Sequence, residues 1–397
     1  MIARFADAPP VDGRRRLVLV GAGHAHAQVL QSFAQHPISD IDIVVISPTT
    51  QAPYSGMMPA WLAGDHDWQD CCIDFDRLCQ RVGARLIVDS VVRIDLDAKM
   101  LVLESGMRVA YAWLSINIGS TLHAPAVASA SSATGKAVQE IPMRVIPMRP
   151  LSALCERWQI VLDDLERHPP GARYKVVMIG GGAAGIESIL SVHHRLKTLK
   201  PGLAFQFTLA TQGQILVPGL SSAAGKILQA HLHQRGIEVK TGFAAKHISS
   251  EAVLGNSGQS ISADVVLWAT GAQAFGWPAA SGLATTAEGF IRIDTQLRSI
   301  SHPEVFATGD CAAWEVPLPK AGVYAVRMGP VLAQNLRTSI DHAPLVSYRP
   351  QRRYLALVGT GARHAVASWG PLGWQGAWVY VWKQRIDRHF LARYNHV

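Results

Sequence analysis

One pattern constrains this chain more than any other, because it occurs twice. Leu17–Ala27, LVLVGAGHAHA, runs from an apolar strand through a glycine turn into a helix. Tyr174–Glu187, YKVVMIGGGAAGIE, repeats that order. A strand, a glycine-rich turn and a helix are the setting in which a dinucleotide pyrophosphate can be held. The first glycine permits the tight turn, the second lets the backbone approach the phosphates, and the third lets helix and strand pack closely. The free N–H groups and positive dipole end of the helix then face the anion. Gly180, Gly182 and Gly185 fill all three positions of the second copy. Gly21 and Gly23 fill two positions of the first, and His26 stands in the third, where it reads as a packing residue. One such turn is weak evidence for a ligand, but two in matching contexts predict two dinucleotide-binding units.

The stretches that follow each turn extend the pattern. Ile41–Ile46 reads as a second parallel strand, and Ser47 stands where an acid would bond a ribose hydroxyl. Gln51–Gly64 reads as a loop, Asp74–Val82 as a short helix, and Arg85–Asp97, Met100–Glu104 and Ala112–Gly119 as strands. The Ala/Ser-rich tract Ala124–Ala137 reads as a surface loop or linker, and Leu151–Leu165 as a helix. After the second turn come a strand at Phe205–Ala210, then Thr211 and Gln212 without an acid. A helix over Leu216–Arg235 and a buried strand over Ala263–Gly271 follow. Glu304–Asp310 reads as a strand delivering Gly309 and Asp310 into a turn, followed by a helix over Tyr324–Arg337. A hairpin is expected over Arg353–Val358 and His364–Ser368.

Composition excludes several classes. The length of 397 residues allows two to three domains with sizeable cores. The five cysteines, Cys71, Cys72, Cys79, Cys155 and Cys311, are odd in number and have no framework spacing, which argues against a secreted disulfide scaffold. No His, Cys or acidic cluster has a metal-ligand spacing, so no metal is expected. The N-terminus lacks a signal-peptide core and no apolar run reaches spanning length, which points to the cytoplasm. The net charge of +8 fits a slightly basic surface, an anionic membrane face or an anionic cofactor. No basic run or recognised module points to nucleic acid.

The two glycine turns, the ATG at Ala269–Gly271 and the TGD at Thr308–Asp310 resemble, in their order, the pyridine nucleotide–disulfide oxidoreductase superfamily. GAGHAHAQVL, PYSGMMPAWLAG, LSINIGS, KAGVYAVRMGPVLAQNL, YRPQRRYLALVGTG and WKQRIDRHF resemble one branch more closely. That branch is the flavoprotein related to the N-terminal half of selenide, water dikinase fusions, itself similar to type II NADH dehydrogenases. The resemblance implies an α/β fold of two Rossmann-like domains, the FAD domain split by an inserted NAD(P) domain. The implied divisions are 1–149 and 273–342 for FAD, 150–272 for NAD(P), and 343–397 for a C-terminal hairpin and helix. It implies FAD held by Gly21, Gly23, His24, Ala25, Ser47, Gly119, Ser120, Gly309, Asp310, Gly322 and Val323. It implies NAD(P)H held by Gly180, Gly182, Gly185, Glu187, Thr211 and Gly271. Tyr54, Lys320 and Arg327 are the catalytic candidates, Lys320 and Arg327 as the charges that would tune the flavin.

The implied activity passes hydride from NAD(P)H through FAD to a quinone-like or small sulfur or selenium acceptor. The alternative is a flavin-bearing accessory protein of selenium metabolism, for which the missing acids after Ile46 and Ala210 speak. Disulfide reduction is not expected, because PYSGMMPAW carries no Cys-x4-Cys pair. Trp374, Trp378, Trp382, Ile386 and Phe390 recur every four residues within Trp374–Tyr394, with Lys383, Arg385, Arg388 and Arg393 around them. As a helix, this stretch would dock on the protein or a partner, or lie peripherally on the inner face of a membrane. A homo-oligomer is compatible with either.

Overall fold

The computed structural model describes residues 13–122, 144–249, 251–351 and 353–395. The N-terminal twelve residues and the Ala124–Ala137 tract lie outside the described residues. Two five-stranded sheets, parallel throughout, carry the two glycine turns. In the first, the spatial order is Val305–Ala307, Trp113–Ile116, Arg15–Val20, Ile41–Ser47 and Arg85–Val88. Its central strands are apolar on both faces, as a parallel sheet covered on both sides requires. Strands on either side of the second glycine turn in sequence therefore build one sheet.

The second sheet has the order Arg144–Pro147, Val265–Trp268, Arg173–Ile179, Ala204–Ala210 and Glu238–Lys240. It reaches back to Arg144, ahead of the division expected at 150. Pro147 is tolerated because this strand is at the edge, bonded on one side only. The fold is the α/β architecture expected, with smaller antiparallel sheets attached. One of these, Ala356–Gly359, Ala365–Trp369 and Leu372–Gly376, leads into the final helix, Ala377–Asn395.

Several expected boundaries move for identifiable reasons. The stretch Arg85–Asp97 is two strands in different sheets, Arg85–Val88 and Val91–Asp95. The helix expected from Leu216 begins at Ser222, where the Ser221 hydroxyl caps the Ala224 N–H at 3.1 Å. The Gln51–Gly64 loop contains a short strand, Gln51–Pro53, and a helix, Met58–Ala63. Trp374 lies in the last strand of the hairpin extension rather than on the C-terminal helix.

That helix also corrects the expected apolar stripe. Its buried face is Val379, Lys383, Gln384, Asp387, Phe390, Leu391 and Tyr394, while Trp378, Val381, Trp382 and Ile386 are exposed. A four-residue spacing drifts by about 40° per step on a 3.6-residue helix, so the stripe winds from one face to the other. Only Phe390 of it points inward.

A buried ion pair pins the first sheet. Arg16 is 2 % exposed and donates from Nε to Asp42 at 2.7 Å, and Arg85 adds a second bond at 2.8 Å. Burial pushes the Asp42 carboxyl up, but the two guanidinium groups outweigh it and hold the carboxyl below its ordinary range.

Candidate functional site

The two turns differ in how their glycines are used. In the second, a side chain at Gly180 would collide with the Ala269 carbonyl, and one at Gly185 with the Gly180 carbonyl. Gly182 has nothing within 4 Å of an added Cβ, so the turn opens outward there. The helix Ala183–Leu199 has no side-chain cap and no acid in its first turn. Its N-terminus is left for an anion. Thr211 closes one side by packing against Gly181, and the loop beyond it is tied back by Val217 N–H to Gly181 O at 2.9 Å. Gly271 lies at the open end of the neighbouring strand turn, with nothing within 4 Å of where a Cβ would stand.

In the first turn, Asn117 explains the glycines. Side chains at Gly21 and Gly23 would collide with the Asn117 carbonyl and carboxamide. Asn117 Oδ1 accepts from Ala25 N at 3.1 Å, and its Nδ2 donates to Thr308 O at 2.7 Å. One amide therefore joins the Gly21–Gly23 turn to the Thr308–Asp310 turn, and Gly309 leaves room for it. His26 is fully buried, with Nδ1 2.7 Å from Gly21 O and Nε2 2.8 Å from Ser115 Oγ. It braces the turn against the strand beneath, as a packing residue would. Burial lowers its pKa to about 4, so it stays neutral at pH 7.

The residues expected around FAD converge. Arg149 donates from Nη1 to Asp310 Oδ2 at 2.7 Å and to Ser120 Oγ, and Ser120 lies 3.4 Å from the same carboxylate oxygen. His24, lowered to about 4 by burial despite the nearby Asp310 charge, is neutral, and its Nε2 is buried without a hydrogen-bond partner. The Thr308 hydroxyl is buried in the same condition. A helix N-terminus whose N-cap residue, Gly23, carries no side chain, two unspent buried polar atoms and a carboxylate fit the pyrophosphate and ribityl chain of FAD, although the Ala25 N–H expected there is already taken by Asn117 Oδ1. Gly119, at φ +68°, has open space where a Cβ would stand. Gly322 and Val323 open the helix Gly322–Ile340, with Gly322 close to Ser55. Ser47 is engaged locally, its hydroxyl donating to Thr49 O at 2.8 Å.

The charged candidates separate. Lys320 donates to Ala312 O at 2.6 Å and lies 3.8 Å over the Phe290 ring, and burial lowers its pKa. Arg327 lies on the exposed side of its helix. Tyr54 stacks on Phe390 at 4.5 Å and meets His24 edge-on at 5.4 Å. Its phenol is held protonated by burial and by its hydrogen bond to Asp387.

Sequence reasoning missed the group under Tyr54. Lys383, 6 % exposed, bonds Asp387 at 2.8 Å and the Gly56 carbonyl, and lies 3.9 Å from Glu187. Glu187 in turn accepts from Gly359 N at 2.6 Å. Expected at the nucleotide, Glu187 instead faces the C-terminal extension. Burial raises it to about 7, against the pull of Lys383 and Gly359 N–H. Lys383 is raised, because the two carboxylates outweigh its burial. The signal was present in the Lys383–Asp387 spacing, which places both on one helical face. The apolar stripe masked it.

The cysteines do not form a redox centre among the described residues. All five are free, and burial raises Cys71, Cys72 and Cys79 to about 12 and Cys311 to about 11. No group that could hold a metal ion occurs among the described residues. No helix among them is long and apolar enough to cross a membrane.

Comparison with known proteins agrees with this geometry. A sequence profile of the pyridine nucleotide-disulphide oxidoreductases matches residues 15–337. An NADH dehydrogenase-like protein of Mycobacterium tuberculosis is 24 % identical over 392 residues, covering 94 % of this chain and 93 % of the relative. An alternative NAD(P)H-ubiquinone oxidoreductase of Arabidopsis thaliana is 23 % identical, covering 92 % and 76 %. Sulfide:quinone oxidoreductase of Aquifex aeolicus superposes with a TM-score of 0.76 at 19 % identity, covering 96 % of this chain and 92 % of that one. NDH2 of Plasmodium falciparum, solved with NADH, gives 0.74 at 13 % identity, covering 96 % and 99 %. None of these names supports the accessory reading.

Proposed function

The chain belongs to the pyridine nucleotide-disulphide oxidoreductase family, and from that premise we propose that it passes electrons from NAD(P)H to a quinone-like acceptor at a membrane surface. It is an FAD-dependent oxidoreductase using NAD(P)H, as that family is. Bound at the first turn, FAD supplies the capacity to accept hydride and release electrons. The Gly21–His24 backbone at the N-terminus of that helix would hold its pyrophosphate, with Ala25 N–H kept by Asn117 to fix the turn. Asp310 would accept from a ribityl hydroxyl, and the N–H groups at Gly322–Val323, opening their helix, would favour negative charge on the flavin. The Gly180–Gly185 turn, open at Gly182, binds the nicotinamide dinucleotide. In our reading the divisions at 273 and 343 describe these units, and the first division moves back from 150 to the strand Arg144–Pro147, which joins the second sheet. The finer kinship with selenide, water dikinase flavoproteins rests on the stretches quoted above.

One observation carries the choice of acceptor. The helix whose inner face holds Phe390 against Tyr54 shows Trp378, Val381, Trp382 and Ile386 outward, flanked by exposed Arg385 and Arg388. One element thus joins the flavin side to an apolar, cationic outer face suited to an anionic lipid surface. Anaerobic mixing with NADH and with NADPH tests the activity: bleaching of the flavin by either supports it, and bleaching by neither overturns it. Reoxidation by a short-chain quinone, polysulfide or selenite then identifies the acceptor class. Replacing Trp378 and Trp382 together by Ser is expected to weaken flotation with anionic vesicles by about tenfold or more, with turnover of a soluble quinone unchanged. Unaltered flotation would remove this face from the reading.

The Glu187–Lys383–Asp387 group handles protons in the same scheme. Its members contact Gly56 and Tyr54, and Glu187 at about 7 exchanges a proton across neutrality. Glu187→Gln is therefore expected to flatten the limb near neutral pH in the rate of flavin reoxidation. The rate falls by about tenfold or more, while reduction by NADH keeps its rate. Stopped-flow reoxidation across neutral pH measures it.

A further inference from the structure

Arg149 comes from a different part of the fold than the carboxylate it holds. It lies two residues beyond Arg144–Pro147, the edge strand of the second sheet. Asp310 and Ser120 belong to turns that follow strands of the first sheet. The guanidinium reaches Asp310 Oδ2 at 2.7 Å with its side chain 31 % exposed, and also donates to Ser120 Oγ. Its own backbone is fixed by Arg157, whose Nη1 donates to Pro147 O at 2.9 Å and to Arg149 O at 3.3 Å. A reciprocal backbone bridge, Thr121 to Gln273 at 2.9 Å in both directions, ties the same junction.

The placement on the carboxylate matters. Arg149 and Ser120 both bind Oδ2, and among the described residues Oδ1 takes no hydrogen bond. An ionised carboxylate has about four acceptor sites, and here one oxygen is spent on orientation while the other stays available. No other cation bonds Asp310 among the described residues, and Lys320 donates to Ala312 O at 2.6 Å instead.

We propose that Arg149 is the positioning residue for FAD, reaching from the second sheet's edge to orient Asp310 so that Oδ1 meets the ribityl chain. This rests on the reading of the first turn as the FAD site. It makes retention of FAD depend on a residue outside the sheet that binds it. It also gives the second sheet a mechanical hold on the cofactor through one side chain.

The test follows release of FAD from holoprotein after dilution, read as the rise in flavin fluorescence. Arg149→Met is expected to speed release by about tenfold or more, and Arg149→Lys, which keeps the charge and donor capacity without the planar fork, by about threefold or less. The effect must pass through Asp310, so in an Asp310→Asn background Arg149→Met is expected to add less than about threefold. A merely structural loss would instead act equally in both backgrounds. Equal effects there, or Lys and Met behaving alike, overturn the proposal. If Asp310→Asn retains no FAD, the Lys and Met comparison decides alone. A wild-type chain that binds no FAD overturns the reading of the first turn, whereas tight wild-type binding with no effect of Arg149→Met overturns this inference only.

Discussion

Gly182→Val is expected to abolish reduction of the flavin by NADH and NADPH while leaving the flavin bound. Gly182 has φ −75° and ψ 175°, a conformation open to any residue, and an added Cβ meets nothing within 4 Å. The folded chain therefore tolerates the substitution, with a stability change within about 0.5 kcal/mol. The added atoms stand where a pyrophosphate must approach the helix N-terminus. A dissociation constant raised about a thousandfold corresponds to ~4 kcal/mol, a reasonable loss when the phosphates can no longer reach those N–H groups. Gly185→Val makes a useful contrast, because its side chain would strike the Gly180 carbonyl and disturb the turn itself. Titration with NADH and flavin bleaching distinguish the two. Undiminished bleaching in Gly182→Val would remove the second turn from the reaction.

The second large effect concerns stability rather than chemistry. Asp42→Ala leaves the buried Arg16 without the carboxylate that its Nε bonds at 2.7 Å. Breaking a buried pair by removing one partner costs about 3–5 kcal/mol, so the thermal and urea midpoints should fall well outside experimental error. Replacing both partners, Arg16→Met with Asp42→Leu, should recover most of that loss, since no buried charge is then left behind. The pH dependence has a definite sign. The folded pKa of Asp42 lies below its ordinary value, so its contribution is complete above the ordinary aspartate range and is lost as pH falls through the lowered folded value. Asp42→Ala should therefore be less stable at neutral pH and show a shallower loss in acid. Identical acid limbs in wild type and variant would contradict the assignment.

These two sites show what the sequence could and could not disclose. Glycine turns are legible because backbone geometry makes local demands, and Gly180, Gly182 and Gly185 stand within a few residues of one another. The two parallel sheets follow from that, since apolar runs such as Ile41–Ile46 and Ala263–Gly271 have few other uses. The residues that complete the site are polar partners brought together from afar. Asn117 bonds Ala25 and Thr308, 92 and 191 residues away in sequence, and nothing in LSINIGS marks it out. Arg149 was invisible for the same reason. The C-terminal helix misled because Trp and Phe dominate its pattern, whereas its inward face is set by Lys383 and Asp387, which pay for burial by pairing. A residue's hydrophobicity predicts its face only where no buried partner awaits a charge.

The Asn117 bridge has a consequence for how the chain is made. The strand Val305–Ala307 and the turn it carries emerge from the ribosome long after Trp113–Ile116, the strand they must join. Throughout that interval the whole of the second sheet, ending at Trp268, has been synthesised and can fold on its own local pairings. The first sheet meanwhile waits with an open edge, and Asn117 has no Thr308 carbonyl to hold. If the first turn holds FAD, cofactor capture is accordingly expected late in the life of the polypeptide. Nascent chains arrested before residue 305 should leave the ribosome colourless, and yellow colour should arise only once the last edge of the first sheet is in place.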